Sequence, residues 1–126
     1  MLGKILGMIL AKLSPRIIGR GSSAILRTNM VRAGLREIAG YVADHIVAIK
    51  GRSGASDPAR QIFNKCGIAI DGALNGVFVP AYQHGRMHTD AYNTFVNNGV
   101  VSSQSYDDVV KGLQMIRTMI ESGHLW

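Results

Sequence analysis

The sequence is poor in residues that cross-link or stiffen small proteins. Its 126 residues include a single cysteine, Cys66, together with three prolines and one tryptophan. One cysteine excludes an internal disulfide, and a reducing compartment is the simplest environment for such a chain. No uninterrupted apolar run approaches the ~20 residues that span a bilayer, so a transmembrane segment is not expected. With 47% apolar residues, the chain can fill the core of one small domain.

Acidic residues are also scarce, and the imbalance lies in one half of the chain. The formal net charge is +6. Residues 1–60 carry a net charge of +7, whereas residues 61–126 carry −1. A basic half suits a polyanion, either a nucleic acid or an anionic membrane. Solubility alone would explain the charge equally well, so charge by itself does not identify the partner.

The beginning of the chain differs from the rest. Residues 1–21 combine an apolar stretch with basic residues such as Lys12, Arg16 and Arg20. We expect a basic apolar arm or linker here, with residues 22–126 forming the globular domain. The arm has two interpretations: an amphipathic segment that binds a membrane surface, or the remnant of a linker that joined a longer delivery protein. We favour a helical arm that packs on its own domain or on a partner.

Helical periodicity alternates with short β-branched runs, which predicts an α+β fold. Capping residues mark helix starts at Ser22 or Ser23, at Asp57-Pro58 and at Ser105. The predicted helices span residues 22–39, 57–66, about 84–97 and about 106–122, and the predicted strands span residues 41–49 and 76–79.

The chemistry-bearing residues cluster in the middle of the sequence. His84 and His88 are four residues apart, so on one helix both imidazoles face the same side and can bind one metal ion. Asp44, from a neighbouring strand, would complete a three-ligand site with open positions for water and a phosphate oxygen. Tyr92 follows one turn later, and we expect it beside the ligands, not in the chemistry itself.

His45 directly follows Asp44, and adjacent strand residues point to opposite faces. Both can serve one site only if the strand ends or bends there, in which case His45 would act as the general base. A buried histidine bonded to a carbonyl is the alternative. Asn75 precedes a glycine, which is typical of a turn, but its amide could equally fix the loop that presents His45.

Three cations are candidates for binding substrate phosphate. Lys50 and Arg52 lie in a basic glycine- and serine-rich loop, and Arg86 lies between the two histidines. Contacts of this kind recognise the backbone of a nucleic acid and carry no sequence information.

These residues resemble a known pattern. Asp44-His45, Asn75, His84 and His88 are similar to the HNH pattern of ββα-metal nucleases. The segments ADHIVA, GIAIDGALNGVFVP and HGRMHTDAYN resemble the AHH group, nuclease toxin domains of bacterial polymorphic toxin systems, over about residues 30–122. The resemblance implies a ββα-metal (HNH, His-Me finger) core of a short β-hairpin and a metal-bearing helix, with additional N- and C-terminal helices.

The resemblance also implies a role for each site residue. Asp44, His84 and His88 would bind the metal, His45 would be the general base, and Asn75 would orient the metal loop. The chain departs from the group at Asp44, where a histidine is usual. A carboxylate favours Mg²⁺ or Mn²⁺, whereas a third imidazole would favour Zn²⁺ or Ni²⁺.

The implied activity is that of a metal-dependent endonuclease that cleaves DNA, or alternatively RNA, with little sequence specificity. The resemblance further implies an antibacterial toxin, delivered by a bacterial secretion system into the target-cell cytoplasm and controlled by a cognate immunity protein. Two other functions stay open. One is a non-haem Fe(II) oxygenase, which uses the same ligand types, and the other is a non-enzymatic metal-binding module with a membrane-active basic arm.

Overall fold

The structure, a computed structural model, describes residues 21–49, 56–101 and 105–125. It confirms the predicted α+β fold. The predicted arm at residues 1–21 lies outside the described residues, except for Gly21. The described residues form five α-helices and a two-stranded sheet, with a 3₁₀ turn at Ala73–Asn75: α1 (Ser23–Arg32), β1 (Tyr41–His45), α2 (Asp57–Cys66), β2 (Gly76–Pro80), α3 (Ala81–His84), α4 (Asp90–Val101) and α5 (Tyr106–Glu121).

The two strands form an antiparallel hairpin whose register places His45 opposite Gly76. The first strand is shorter than the predicted span of residues 41–49. It ends at His45 because Asn75 takes over the backbone that follows: its amide bonds both the N–H and the C=O of Val47, at 2.8 and 3.1 Å. Asp44 and His45 can share a site only if the strand ends or bends there. The strand does end at His45, so this condition is met.

The hairpin separates two apolar clusters. On one face, Leu26 and Met30 of α1 pack with Ala43. The opposite face joins a larger cluster with α2, α4 and α5, whose buried members include Phe63, Val77, Val79, Val96, Leu113 and Ile116. Burial of each such side chain stabilises the fold by about 1.5–3 kcal/mol. Both faces of this short hairpin are thus covered, which fixes its position.

Helix α1 ends earlier than the predicted residue 39. Gly34 adopts a left-handed conformation with φ of +93°. Its N–H donates to Val31, and the N–H of Leu35 donates to Met30, both at 3.0 Å. This pair of bonds is a Schellman motif, which terminates a helix. The predicted cap at the other end is confirmed, since the Ser22 side chain accepts a hydrogen bond from Ile25.

Helices α2 and α5 agree with their predicted spans. Gly67 ends α2 in a left-handed conformation, and Ser56, not Asp57, is its N-cap residue. The side chain of Ser105 caps α5 by accepting a bond from Asp108. In the part of the chain that the structure describes, no helix is both long and apolar enough to span a membrane.

The predicted helix at residues 84–97 is wrong in its first turn. His84 is the last residue of the short helix α3, a turn follows at Gly85, and α4 begins only at Asp90. Thr89 starts this second helix, because its side-chain oxygen accepts a hydrogen bond from the N–H of Tyr92 at 3.1 Å. The Thr89-Asp90 pair is an ordinary helix-start signal. The i, i+4 spacing of His84 and His88 instead suggests one continuous helix through this segment.

Candidate active site

Asp44 is the centre of the candidate site. Its side chain is 2% exposed, and one carboxylate oxygen lies 3.0 Å from Nδ1 of His84. Nε2 of His88 lies 3.1 Å from each of the two carboxylate oxygens. The structure therefore brings together the three predicted metal ligands from three separate segments of the chain.

The two histidines lie in a connection between two helices, whereas the sequence predicted that both would lie on one helix. They do not lie on one helix face, because the connection between α3 and α4 carries the chain from His84 to His88. Met87, which is buried in the main core, anchors this connection. The ring of Tyr92 packs edge-on against His88, with 5.0 Å between ring centres. Packing of the connection, and not helical periodicity, places the two imidazoles.

His45 approaches the same site from the other face of the hairpin. Its side chain is buried, and Nε2 lies 2.8 Å from a carboxylate oxygen of Asp71. An open cleft of about 390 Å³ is lined by residues from both faces: Ser23, Asp44, His45, Ala48, Ile49, His84 and His88. Because β1 ends at His45, adjacent residues that point in opposite directions can border one cleft.

Asn75 holds the backbone that follows His45. The residue is fully buried. Besides its two bonds to Val47, the side-chain amide donates to the carbonyl of Ile70 at 2.9 Å. The backbone carbonyl of Asn75 also accepts a bond from Ile46 at 2.7 Å. These contacts tie the end of β1 to the 3₁₀ turn and fix the backbone on the C-terminal side of His45.

Tyr92 supports the same stretch of backbone. Its hydroxyl donates a hydrogen bond to the carbonyl of Ile46 at 2.7 Å. Burial raises the pKa of Tyr92 well above its usual value, and the negative charge of Asp44 raises it further. The phenol therefore stays protonated and acts as a hydrogen-bond donor.

The structure describes only one of the three candidate phosphate-binding residues. Arg86 is exposed in the turn after α3. Lys50 and Arg52 lie outside the described residues. Contact of these three cations with a substrate stays a prediction.

Two arginines that were not predicted from the sequence support the backbone around the site through hydrogen bonds to carbonyls. Arg117 of α5 donates to the carbonyls of Gly76 at 2.9 Å and Ala73 at 2.7 Å, and so supports the turn that carries Asn75. Arg60 of α2 donates to the carbonyl of Ile49 and to the side chain of Ser56, which flank residues 50–55. Burial lowers the pKa of both guanidinium groups. Arg117 acts through carbonyls more than 40 residues away in sequence, so no local signal marks it. Arg60 also bonds with Ser56, four residues earlier, but its bond to Ile49 depends on tertiary structure.

Asp71 is the third residue that the sequence did not single out. Asp71-Gly72 suggested only a turn. The structure shows a buried carboxylate that contacts His45 and also accepts the backbone N–H groups of Gly21 and Ser22. Asp71 therefore links the start of α1 to the predicted base.

The donor set at Asp44 fits a divalent cation. Among the described residues, no group of three or more His, Cys, Asp or Glu side chains is arranged so that it could hold a metal ion, and the imidazoles of His84 and His88 contact the Asp44 carboxylate directly. Neighbouring ligand atoms in an octahedral site with bonds of about 2.1 Å lie about 3.0 Å apart. The contacts of 3.0 and 3.1 Å around Asp44 match that separation. A cation bound there would replace these direct contacts and would have the same three side chains as ligands.

A short hairpin with a histidine at its end, followed by a segment that carries two imidazoles, is the arrangement of the ββα-metal nucleases. Comparison with known families agrees. The sequence model of a family described as AHH, a nuclease family of the HNH/ENDO VII superfamily with conserved AHH, matches residues 25–118, and the chain belongs to this family. No curated protein matches the chain significantly, and no solved structure does.

Membership in this family makes the protein a nuclease, and a nucleic acid its substrate. Nucleases of this superfamily generally use a divalent metal, which agrees with the donor set at Asp44. The family therefore favours the nuclease interpretation over the oxygenase and over the non-enzymatic module.

Proposed function

We propose that this protein is a metal-dependent endonuclease that hydrolyses the phosphodiester bonds of DNA with little sequence specificity. One observation carries the proposal: Asp44, His84 and His88 meet at a cleft that His45 also lines. Three donors and a separate imidazole are what a metal-assisted hydrolysis requires.

Asp44, His84 and His88 would hold the cation, with Mg²⁺ or Mn²⁺ preferred because one donor is a carboxylate, and Zn²⁺ or Ni²⁺ as alternatives. When bound there, the cation supplies positive charge that stabilises the negative charge developing on the phosphate.

The chain's own residues supply the base and its rigid support. His45 accepts the proton of the attacking water, a role worth about 10²–10⁴-fold in rate. Asn75 and Tyr92 fix the backbone that follows His45, so the imidazole is held in place before the substrate arrives. The exposed Arg86, together with Lys50 and Arg52, would neutralise phosphate charge without reading base edges.

Cleavage of supercoiled plasmid tests the proposed activity. Purified protein should nick and linearise the plasmid with Mg²⁺ or Mn²⁺, and EDTA should abolish cleavage. A parallel assay with single-stranded RNA of matched length distinguishes the two substrate classes. Absence of cleavage with Mg²⁺, Mn²⁺, Zn²⁺ and Ni²⁺ would contradict the proposal.

Two histidine variants separate the base from a general effect of histidine loss. His45→Ala should lower the cleavage rate by about 100-fold or more, yet should still bind Mn²⁺ in calorimetric titration. His124 is exposed and its ring hydrogen-bonds with the side chain of Ser122, so His124→Ala should cleave at the wild-type rate. Equal rates for wild type and His45→Ala would exclude His45 as the base.

We also propose that the nuclease is an antibacterial toxin, delivered by a bacterial secretion system and acting in the cytoplasm of the target cell. Its immunity protein would be acidic, to complement the basic half of the chain. Production of the wild-type protein in a bacterial cytoplasm should stop growth and fragment the chromosome, whereas His45→Ala should be tolerated. Equal toxicity of the two proteins would indicate a mechanism other than nucleic-acid cleavage.

A further inference from the structure

Within the described residues, the carboxylate of Asp71 contacts the imidazole of His45 and two backbone N–H groups. One oxygen lies 2.8 Å from Nε2 of His45 and also accepts the N–H of Ser22 at 2.8 Å. The other oxygen accepts the N–H of Gly21 at 2.9 Å. The side chains of Asp71 and His45 are 3% and 4% exposed, so water contributes little to either group.

This arrangement determines where the imidazole carries its proton. Two backbone N–H groups at the start of α1 stabilise the ionised form of the Asp71 carboxylate, which can only accept hydrogen bonds. Nε2 of His45 must then be the donor. A neutral imidazole has one N–H, so Nδ1 keeps its lone pair.

We propose that Asp71 is a positioning residue: it holds His45 in the tautomer with hydrogen on Nε2, so that Nδ1 is the atom that accepts the proton from water. This inference rests on the proposed role of His45 as the base. The start of α1, through Gly21 and Ser22, fixes the carboxylate and so contributes to the orientation of the ring.

The chemistry of asparagine gives a graded prediction. In Asp71→Asn, the amide oxygen can stay at the position that faces both His45 and Ser22, and the amide nitrogen then replaces the oxygen that accepts from Gly21. The variant should therefore keep the Nε2–H tautomer and lose one backbone bond. Asp71→Ala removes the acceptor entirely, so the imidazole of His45 can take either tautomer.

Nitrogen-15 NMR of the histidine rings tests the tautomer directly, without any cleavage assay. At pH 8 with Mg²⁺, the His45 signal, assigned by its loss in His45→Ala, should show hydrogen on Nε2 in the wild type and in Asp71→Asn. Asp71→Ala should show a mixture. Hydrogen on Nδ1 in the wild type, or an unchanged pattern in Asp71→Ala, would overturn the proposal.

Kinetics test whether this positioning matters for cleavage. Asp71→Ala should lower kcat by roughly 10- to 100-fold with KM within about twofold, and Asp71→Asn should lose less. Asp71→Ala combined with His45→Ala should be no slower than His45→Ala alone, because both changes act through one imidazole. Additive losses would overturn the inference. Asp107→Asn alters an exposed carboxylate and should cleave like the wild type.

The two readouts keep the proposals apart. A wild-type protein that cleaves no nucleic acid, yet shows the Nε2–H tautomer that Asp71→Ala loses, would refute the proposed function and retain the role of Asp71 toward the ring. An active wild type with an equally active Asp71→Ala would refute the inference alone. If Asp71→Ala does not fold, judged by its amide spectrum, Asp71→Asn decides: hydrogen on Nδ1 in that variant contradicts the graded prediction.

Discussion

At the scale of single residues, Asp44 is the departure from the family motif with the clearest chemical consequence. Ala43-Asp44-His45 stands where the family is described by a conserved AHH, so a carboxylate replaces the first histidine. Both imidazoles contact that carboxylate. The substitution exchanges a nitrogen donor for oxygen donors and should change which cation the site prefers.

Restoration of the family motif tests this consequence. Asp44→His should weaken binding of Mg²⁺ and Mn²⁺ and strengthen binding of Zn²⁺ or Ni²⁺, because imidazole suits the latter pair. Calorimetric titration of each cation into wild type and variant measures the change. Asp107→His, on an exposed first turn of α5, is the control. An unchanged order of affinities would show that Asp44 is not a ligand.

Tyr92 connects the site to stability at alkaline pH. The pKa of the folded phenol is raised, so between the unfolded value of about 10 and the folded value only the unfolded chain releases this proton. The free energy of unfolding should therefore fall as the pH rises above about 10, by up to about 1.4 kcal/mol per pH unit from this group.

Urea unfolding of Tyr92→Phe between pH 8 and pH 11 checks this linkage. The variant should lose about 1 kcal/mol at pH 8, since its bond to Ile46 is gone, and should show a shallower decline above pH 10. Tyr82 is 68% exposed, so Tyr82→Phe should keep the wild-type slope. Parallel curves for wild type and Tyr92→Phe would contradict a shifted phenol.

At the scale of elements, the position of α5 depends on a close approach to α4. A side chain at Gly112 would place its Cβ 2.8 Å from the backbone oxygen of Gly99. A backbone atom cannot give way as a flexible side chain does. Arg117, farther along α5, then reaches the turn that carries Asn75. Helix packing at the two glycines thus helps to place the site.

Gly112→Ala should destabilise the protein although alanine favours helices. The steric cost of about 1–3 kcal/mol exceeds the gain of about 1 kcal/mol in helix propensity. Gly85 has a φ of −79°, and a Cβ added there would meet no atom within 4 Å, so Gly85→Ala should stabilise by about 0.4–1 kcal/mol. Chemical denaturation measures both, and a more stable Gly112→Ala would refute the close contact.

Helices whose ends carry local signals can be predicted from the sequence, whereas contacts between distant segments cannot. Local signals located α2 and α5, because a capping residue and a terminal glycine act on their own neighbours. The helix at residues 84–97 was mispredicted because an i, i+4 histidine pair also fits a turn between two helices. Asp71 could not be assigned, since its contact with His45 spans 26 residues of sequence. The resemblance to the AHH group indicated the candidate site residues. Residues that support them, such as Asp71, are brought into place by tertiary packing.

At the scale of the molecule, the hairpin organises the site by separating two packed layers. The face of Ala43 meets α1, and the face that carries Val77, the partner of Asp44 in the register, meets the main core. His45 and Asp44 follow these two faces. They share a cleft only at the open end of the hairpin, where Asn75 fixes the backbone. The proposed activity therefore requires a metal ion at that end of the hairpin.

Diffraction from crystals grown with Mn²⁺, recorded near the manganese absorption edge, tests this claim most directly. We expect one strong anomalous peak bonded to Asp44, His84 and His88 in the wild type, and none there in a crystal of Asp44→Ala. A manganese peak elsewhere, with these three side chains still in contact only with one another, would contradict it.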